Sequence, residues 1–138
     1  MNTFSSMSGK LNRFPKSVRL HFRKEIDELF SSGKSIKAFP IRAIYKFMPL
    51  SDVSVQVAMS VPKRYIKLAV NRNRIKRQMR EIFRLNCHQT MQHFTSKGKR
   101  VQVMLIYTGK ESPEYAVLET KIILILQRLQ EADELGVV

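Results

Sequence analysis

Residues 53–84 read VSVQVAMSVPKRYIKLAVNRNRIKRQMREIFR, and their hydrophobic period changes part-way along. Over 53–60 the chain alternates. Val53, Val55, Val57 and Met59 point one way; Ser54, Gln56, Ala58 and Ser60 point the other. A period of two marks a strand with one face on a core. From about Val70 to His93 the period becomes helical, and Ile75, Met79, Ile82, Phe83 and Leu85 share one broad face. A half-buried strand followed by a long amphipathic helix sets the fold class, and the flanking segments supply the partners.

Upstream, Pro15 and Ser17 precede a first helix, with Ser17 as candidate cap. Leu20, Ile26, Leu29 and Phe30 give it an apolar face, and Gly33 stops it. Residues 35–39 form a short strand. In the next, Ile41, Ala43, Tyr45 and Phe47 share a face, before a turn at Pro49 and Asp52. Downstream, Lys97-Gly98-Lys99 ends the long helix, and the apolar stretch 101–107 reads as a central strand. A turn over 109–113 leads to a last helix, 114–131, with Tyr115, Leu118, Ile122, Ile125 and Leu129 inward. The order αβββαβα predicts an α+β fold, a two-layer sandwich on a mixed four-stranded sheet. With 138 residues the chain has room for one domain. We place it at 13–132, with a flexible segment at 1–12 and a tail at 133–138.

The charge is lopsided: 25 Lys and Arg against 11 Asp and Glu, a formal +14. Residues 63–84 hold nine of those cations and one acid, Glu81. Such an excess repels itself unless a polyanion offsets it. A solvated helix face usually mixes signs, because opposite charges three or four apart stabilise it. Here Lys76, Arg77, Arg80 and Arg84, with Asn73, fall within roughly a 100° arc opposite Ile75 and Ile82. Arg72 and Arg74 flank that arc. Arg offers planar bidentate contacts to phosphate, and Lys a mobile point charge. A nucleic-acid surface, a membrane surface and an unusually basic solvated face all stay open. The first is favoured, because the apolar side of the helix is committed to a core and no partner need be lipid.

Flanking strands rule against a helix-turn-helix, and the lack of paired Cys or His rules against a zinc module. Aromatic and basic residues on the sheet side favour RNA over DNA. SSGKS at 31–35 lacks phosphate-loop spacing. Cys87 and His88 lack further ligands at metal spacing, and Glu25, Asp27 and Glu28 read as helix-face charge. No nucleophile–base constellation stands out. The longest strongly apolar run, Ile122 to Leu126, is too short to span a bilayer. The N-terminus lacks a secretory apolar run, so we expect a cytoplasmic protein.

SVPKRYIKLAVNRNRIKRQMREIFR resembles the bacterial ribonuclease P protein family. The resemblance is carried by Ser60, Lys63 and Arg64; by Lys67, Ala69, Val70, Arg72, Asn73, Arg74, Ile75, Lys76 and Arg77; and by Arg80, Glu81, Phe83 and Arg84. FPKSVRL and IDELFSSGKS resemble the family's opening helix, so the likeness covers roughly residues 14–130. It implies an RNA subunit that holds the catalytic centre and removes the 5′ leader from precursor tRNA by Mg2+-dependent phosphodiester hydrolysis. No catalytic residue and no metal ligand is then expected on this chain, and the Mg2+ is mainly RNA-bound. Arg72, Asn73, Arg74, Lys76, Arg77, Arg80 and Arg84 are expected to face the ribonuclease P RNA. A cleft between the first helix and the sheet would hold the leader, with Phe30, Tyr45, Lys63, Arg64 and Lys67 around it. The resemblance also implies a left-handed βαβ crossover, against the usual hand. No membrane or DNA partner is expected. A general RNA-binding or ribosome-associated protein without a catalytic RNA is the alternative. The chain departs from the family pattern near Ile66, where many members carry Gly, and at Lys99 and Arg100, where many carry an acid.

Overall fold

The structure, a computed structural model, describes residues 18–20 and 23–134. The expected cap at Ser17, the flexible segment 1–12 and the last four residues of the tail lie outside them. Among the described residues the elements are α1 (Arg23–Ser32), β1 (Lys34–Ala38), β2 (Ile41–Pro49), β3 (Val55–Ser60), α2 (Ala69–Asn86), α3 (His88–Ser96), β4 (Lys99–Tyr107) and α4 (Tyr115–Glu134). The sheet order is β1-β2-β4-β3. β1–β2 and β2–β4 are antiparallel, and β3–β4 is parallel. The fold is α+β on a mixed four-stranded sheet, as expected.

Strand alternation sorts the side chains onto two faces. Ala43, Tyr45, Val55, Val57, Val101, Val103 and Leu105 join Ile75, Met79, Ile82, Phe83, Phe94, Leu118, Ile122, Ile125 and Leu129 in the main core. The opposite face carries a smaller cluster, Leu20, Leu29, Ile44 and Met104, with Ile26, Ala58 and Ile106 against it. Helices α2, α3 and α4 therefore cover one face and α1 the other.

Several boundaries move for identifiable reasons. Leu20 is not helical: its N–H donates to the Val57 carbonyl at 2.9 Å, and Arg19 bridges Val57 in parallel. Arg19 and Leu20 thus run along the outer edge of β3. The long helix is two helices that break at Cys87 (φ −86°, ψ −2°). There the Asn86 side-chain amide donates to the Ile82 carbonyl at 2.8 Å, so a side chain takes an acceptor at the end of the ladder. Gly98, at φ 67°, closes α3 by donating to Thr95 O at 3.1 Å, a left-handed position that suits glycine. Leu85, expected inward, is 56% exposed, and Tyr115 is 40% exposed. Residues 133 and 134, expected in the tail, belong to α4, where Asp133 is buried.

Candidate nucleic-acid interface

Helix α2 shows how one sequence serves a core and a charged surface. Ile75, Met79, Ile82 and Phe83 are buried against the sheet and α4. Asn73, Arg74, Arg77 and Arg80 are exposed on the other side, and Lys76 is half-buried. Partial burial, then the positive charges of Arg19 and Arg77, lower the Arg80 pKa from its ordinary value. Arg19 therefore joins the ridge from outside the helix. Its place beside β3 arises from pairing between distant segments, so no helical-wheel reading of residues 69–86 could find it.

Two members of the expected set are engaged by other groups of the chain. Arg84 makes a two-pronged contact with Glu81, Nη2 to Oε1 at 2.7 Å and Nε to Oε2 at 3.3 Å, and its side chain is only 10% exposed. The wheel places its Cα–Cβ bond outward, but the side chain folds back one turn onto the one acid of the helix. Arg84 is thus corrected from a surface contact to an internal ion pair. Arg72 donates through Nη1 to the carbonyls of Ile66 (3.0 Å) and Lys67 (2.6 Å). It fastens the β3–α2 loop at the start of a helix whose preceding residue, Leu68, offers no side-chain cap.

That loop turns at Pro62, whose carbonyl accepts from Tyr65 and Ile66. It leaves Lys63, Arg64 and Lys67 exposed after the end of β3, with the Arg64 guanidinium 4.8 Å above the centre of the Tyr65 ring. Lys67 borders an open hollow of about 470 Å³, shared with Lys110 and Glu111 of the β4–α4 loop.

On the α1 face, Phe30 is 52% exposed, beside the fully buried Leu29. Gly33 then turns the chain into β1. Its N–H donates to Leu29 O at 2.8 Å, and a methyl group there would come within 2.7 Å of Ile44 Cγ2. Tyr45 is the second correction. It is 5% exposed and lies in the main core, with its ring 5.4 Å from that of Phe47. A one-residue step along a strand reverses the face, so Ile44, not Tyr45, lies under α1. The phenol, with its pKa raised by burial, is a core group. The structure thus sets Phe30 on α1 and Lys63, Arg64 and Lys67 on the loop that follows β3.

Among the described residues, no group of three His, Cys, Asp or Glu side chains is placed to hold a metal ion. Magnesium favours carboxylates and other hard oxygens. On the ridge the one carboxylate, Glu81, is engaged by Arg84, so this donor set does not fit a protein-held Mg2+. Among the described residues, no helix is long and apolar enough to cross a membrane.

A family model described as Ribonuclease P matches residues 14–130. The chain belongs to the ribonuclease P protein family. It is 31% identical over 105 residues to the ribonuclease P protein component of Porphyromonas gingivalis W83, covering 75% of this chain and 77% of that protein. It is 34% identical to that of Chlorobium phaeobacteroides, over 83% of this chain and 88% of the relative. Solved structures share the fold. The Staphylococcus aureus RNase P protein has a TM-score of 0.65 at 16% identity, covering 83% of this chain and 96% of that one. The Thermotoga maritima protein has a TM-score of 0.61 at 24% identity, covering 80% and 96%. The match spans both the basic helix and the opening helix, the two segments on which the family likeness in the sequence rests.

Proposed function

We propose that the chain binds the ribonuclease P RNA through the α2 ridge and the 5′ leader of precursor tRNA through the α1 face. The carrying observation is the ridge of Asn73, Arg74, Arg77 and Arg80, exposed on a helix whose other side is fixed in the core. Like charges at Lys76 and Arg80, four residues apart, weaken a helix by themselves, and an RNA backbone reverses that sign. Arg19 extends the ridge across to the β3 edge.

The role is electrostatic and positional. Each neutralised phosphate releases counterions, so assembly weakens steeply with salt. Phe30 offers an aromatic face on which an unpaired base can stack. The exposed Lys63 and Arg64 supply charge on the loop after β3. The chemistry of phosphodiester hydrolysis is assigned to the RNA subunit and its own Mg2+, and the protein steers substrate towards it.

The test is precursor-tRNA cleavage at low Mg2+ with a bacterial ribonuclease P RNA, with and without the protein. Stimulated cleavage at the correct site, with none by protein alone, is the expected result. A folded protein that binds RNA without stimulating cleavage would favour a general RNA-binding role.

A further inference from the structure

The α1 face of the sheet carries a polar seam across an otherwise apolar floor. Gln102 of β4 sits between Lys46 of β2 and Gln56 of β3 in the strand register. It is 2% exposed, and its Nε2 donates to Glu25 Oε2 at 3.0 Å and to Gln56 Oε1 at 3.2 Å. Gln56 Oε1 also accepts from Arg100 Nη1 at 3.3 Å. Arg100 Nη2 has the Met48 sulfur at 3.5 Å, a weak acceptor. Arg100 Nε is buried with no partner, and it is the one buried side-chain nitrogen or oxygen so placed among the described residues.

The charges in this seam do not balance. Among the described residues Arg100 belongs to no ion pair, unlike Arg84, His93 and Lys99. Glu25, the acid of the seam, is engaged by Gln102. Alternation along β2 puts Lys46 on the same face as Ile44, beside the seam. A half-buried guanidinium is thus held in place by an amide, with a second cation near it and most of its five donors unused. The buried Nε is out of a ligand's reach, but each Nη has one hydrogen beyond its contact with Gln56 or Met48. A donor fork fixed in this way matches the oxygens of a phosphate.

We infer that Arg100, held by the Gln56–Gln102 amide row and flanked by Lys46, anchors one backbone phosphate of a single-stranded RNA lying across the α1 face. This rests on the proposed leader role of that face and adds a contact to it. The anchor lies at the Glu25 end of α1, while Phe30 sits five residues on, about 7.5 Å along the helix. A strand stacked on Phe30 must therefore run on past α1 before it meets Arg100. Only leaders long enough to do so gain from the anchor.

The experiment uses reconstituted holoenzyme and three RNAs: precursor tRNA with a long leader, the same precursor with its leader cut to one nucleotide, and mature tRNA. Arg100→Gln is expected to weaken long-leader binding about tenfold and to lower its salt slope by about 0.7. The other two RNAs should bind as before, as should the RNA subunit. Arg100→Lys keeps the charge without the fork and should recover part of the loss. Arg100→Met removes the unpaired nitrogen, so it should fold at least as stably as the parent yet bind the long leader as weakly as Arg100→Gln. Equal loss on all three RNAs, or full long-leader affinity in Arg100→Met, overturns the anchor. If the unaltered protein itself shows no preference for the long leader over mature tRNA, the leader role of the face fails as well. If that preference exists and Arg100→Gln keeps it, only the anchor fails.

Discussion

Arg77 and Arg84 lie seven residues apart on α2, within the same arc of the helical wheel, yet the structure gives them opposite work. Arg77 is exposed on the ridge, whereas Arg84 is closed onto Glu81 with 10% of its side chain exposed. Replacing each by Ala separates binding from folding. One phosphate contact is worth about 0.7–0.9 in the salt slope, which at physiological salt corresponds to roughly fourfold to sixfold in affinity, or about 1 kcal/mol. Arg77→Ala should lose that much affinity for the ribonuclease P RNA and that much slope, and unfold like the parent. Arg84→Ala leaves half-buried Glu81 without its partner. It should cost about 1 kcal/mol of stability, more than an exposed helix pair gives, and keep the salt slope. Filter binding across a salt series and urea unfolding of both variants decide it. Should Arg84→Ala flatten the salt slope as much as Arg77→Ala, the inward placement of Arg84 would be wrong. Should Arg77→Ala leave the slope untouched, the ridge would not be the RNA contact.

Phe30→Ala should change stability little, because the ring is 52% exposed and surface substitutions stay within about 0.5 kcal/mol. It should still weaken precursor binding by about 1–3 kcal/mol relative to mature tRNA; equal losses on both RNAs would make Phe30 a structural residue. Asp133 is a pH-dependent staple of α4: burial would raise its pKa, but hydrogen bonds from Lys99 (2.6 Å) and His93 (2.9 Å) bring it below the ordinary 3.8. A depressed carboxyl stabilises fully above that ordinary value and loses its contribution as pH falls through the folded value. Asp133→Asn should therefore cost about 2 kcal/mol at neutral pH, with the gap to the parent closing only in acid below that value; a gap that closes between pH 6 and 8 would contradict this assignment. Gly33→Ala should cost about 2 kcal/mol, because its methyl group meets the Leu29 carbonyl and Ile44; an unchanged urea midpoint would show that the α1–β1 turn relaxes more freely than the packing implies.

Much of this was legible in the sequence wherever a period spans several residues. The alternation of 53–60 gave β3 with the right face inward, and the helical face of Ile75, Met79, Ile82 and Phe83 gave α2 with its charges outward. The failures share a cause, in that a period gives the direction of a Cα–Cβ bond and not what lies at its end. Arg84 points outward from the axis but finds Glu81. Tyr45 was assigned by likeness in a segment where a one-residue slip changes the face, and its neighbour Ile44 holds the place under α1. The break at Cys87 depends on a side-chain amide taking a backbone carbonyl, which helical spacing does not encode. Arg19 and Arg100 reach their neighbours through strand pairing with β3 and β2, and their partners are many residues distant.

The placement of the acids bears on function as much as the placement of the bases. Three carboxylates have partners other than Arg74, Arg77 and Arg80: Glu81 pairs with Arg84, Glu25 accepts from Gln102, and Asp133 pairs with Lys99 and His93. Glu81 is the one acid on α2, and the pair it forms takes Arg84 out of the exposed set without adding a counter-charge to Arg74, Arg77 or Arg80. Meanwhile Arg19 brings a further cation to Arg80 from another part of the chain. A fold selected for its own stability would mix these signs, because a single acid four residues from Lys76 or Arg80 would turn repulsion into attraction. Three of the acids thus tie α1, α2 and α4 to their neighbours, and among the described residues no ion pair includes Arg74, Arg77 or Arg80. On the proposed reading, a regularly spaced row of phosphates supplies that counter-charge.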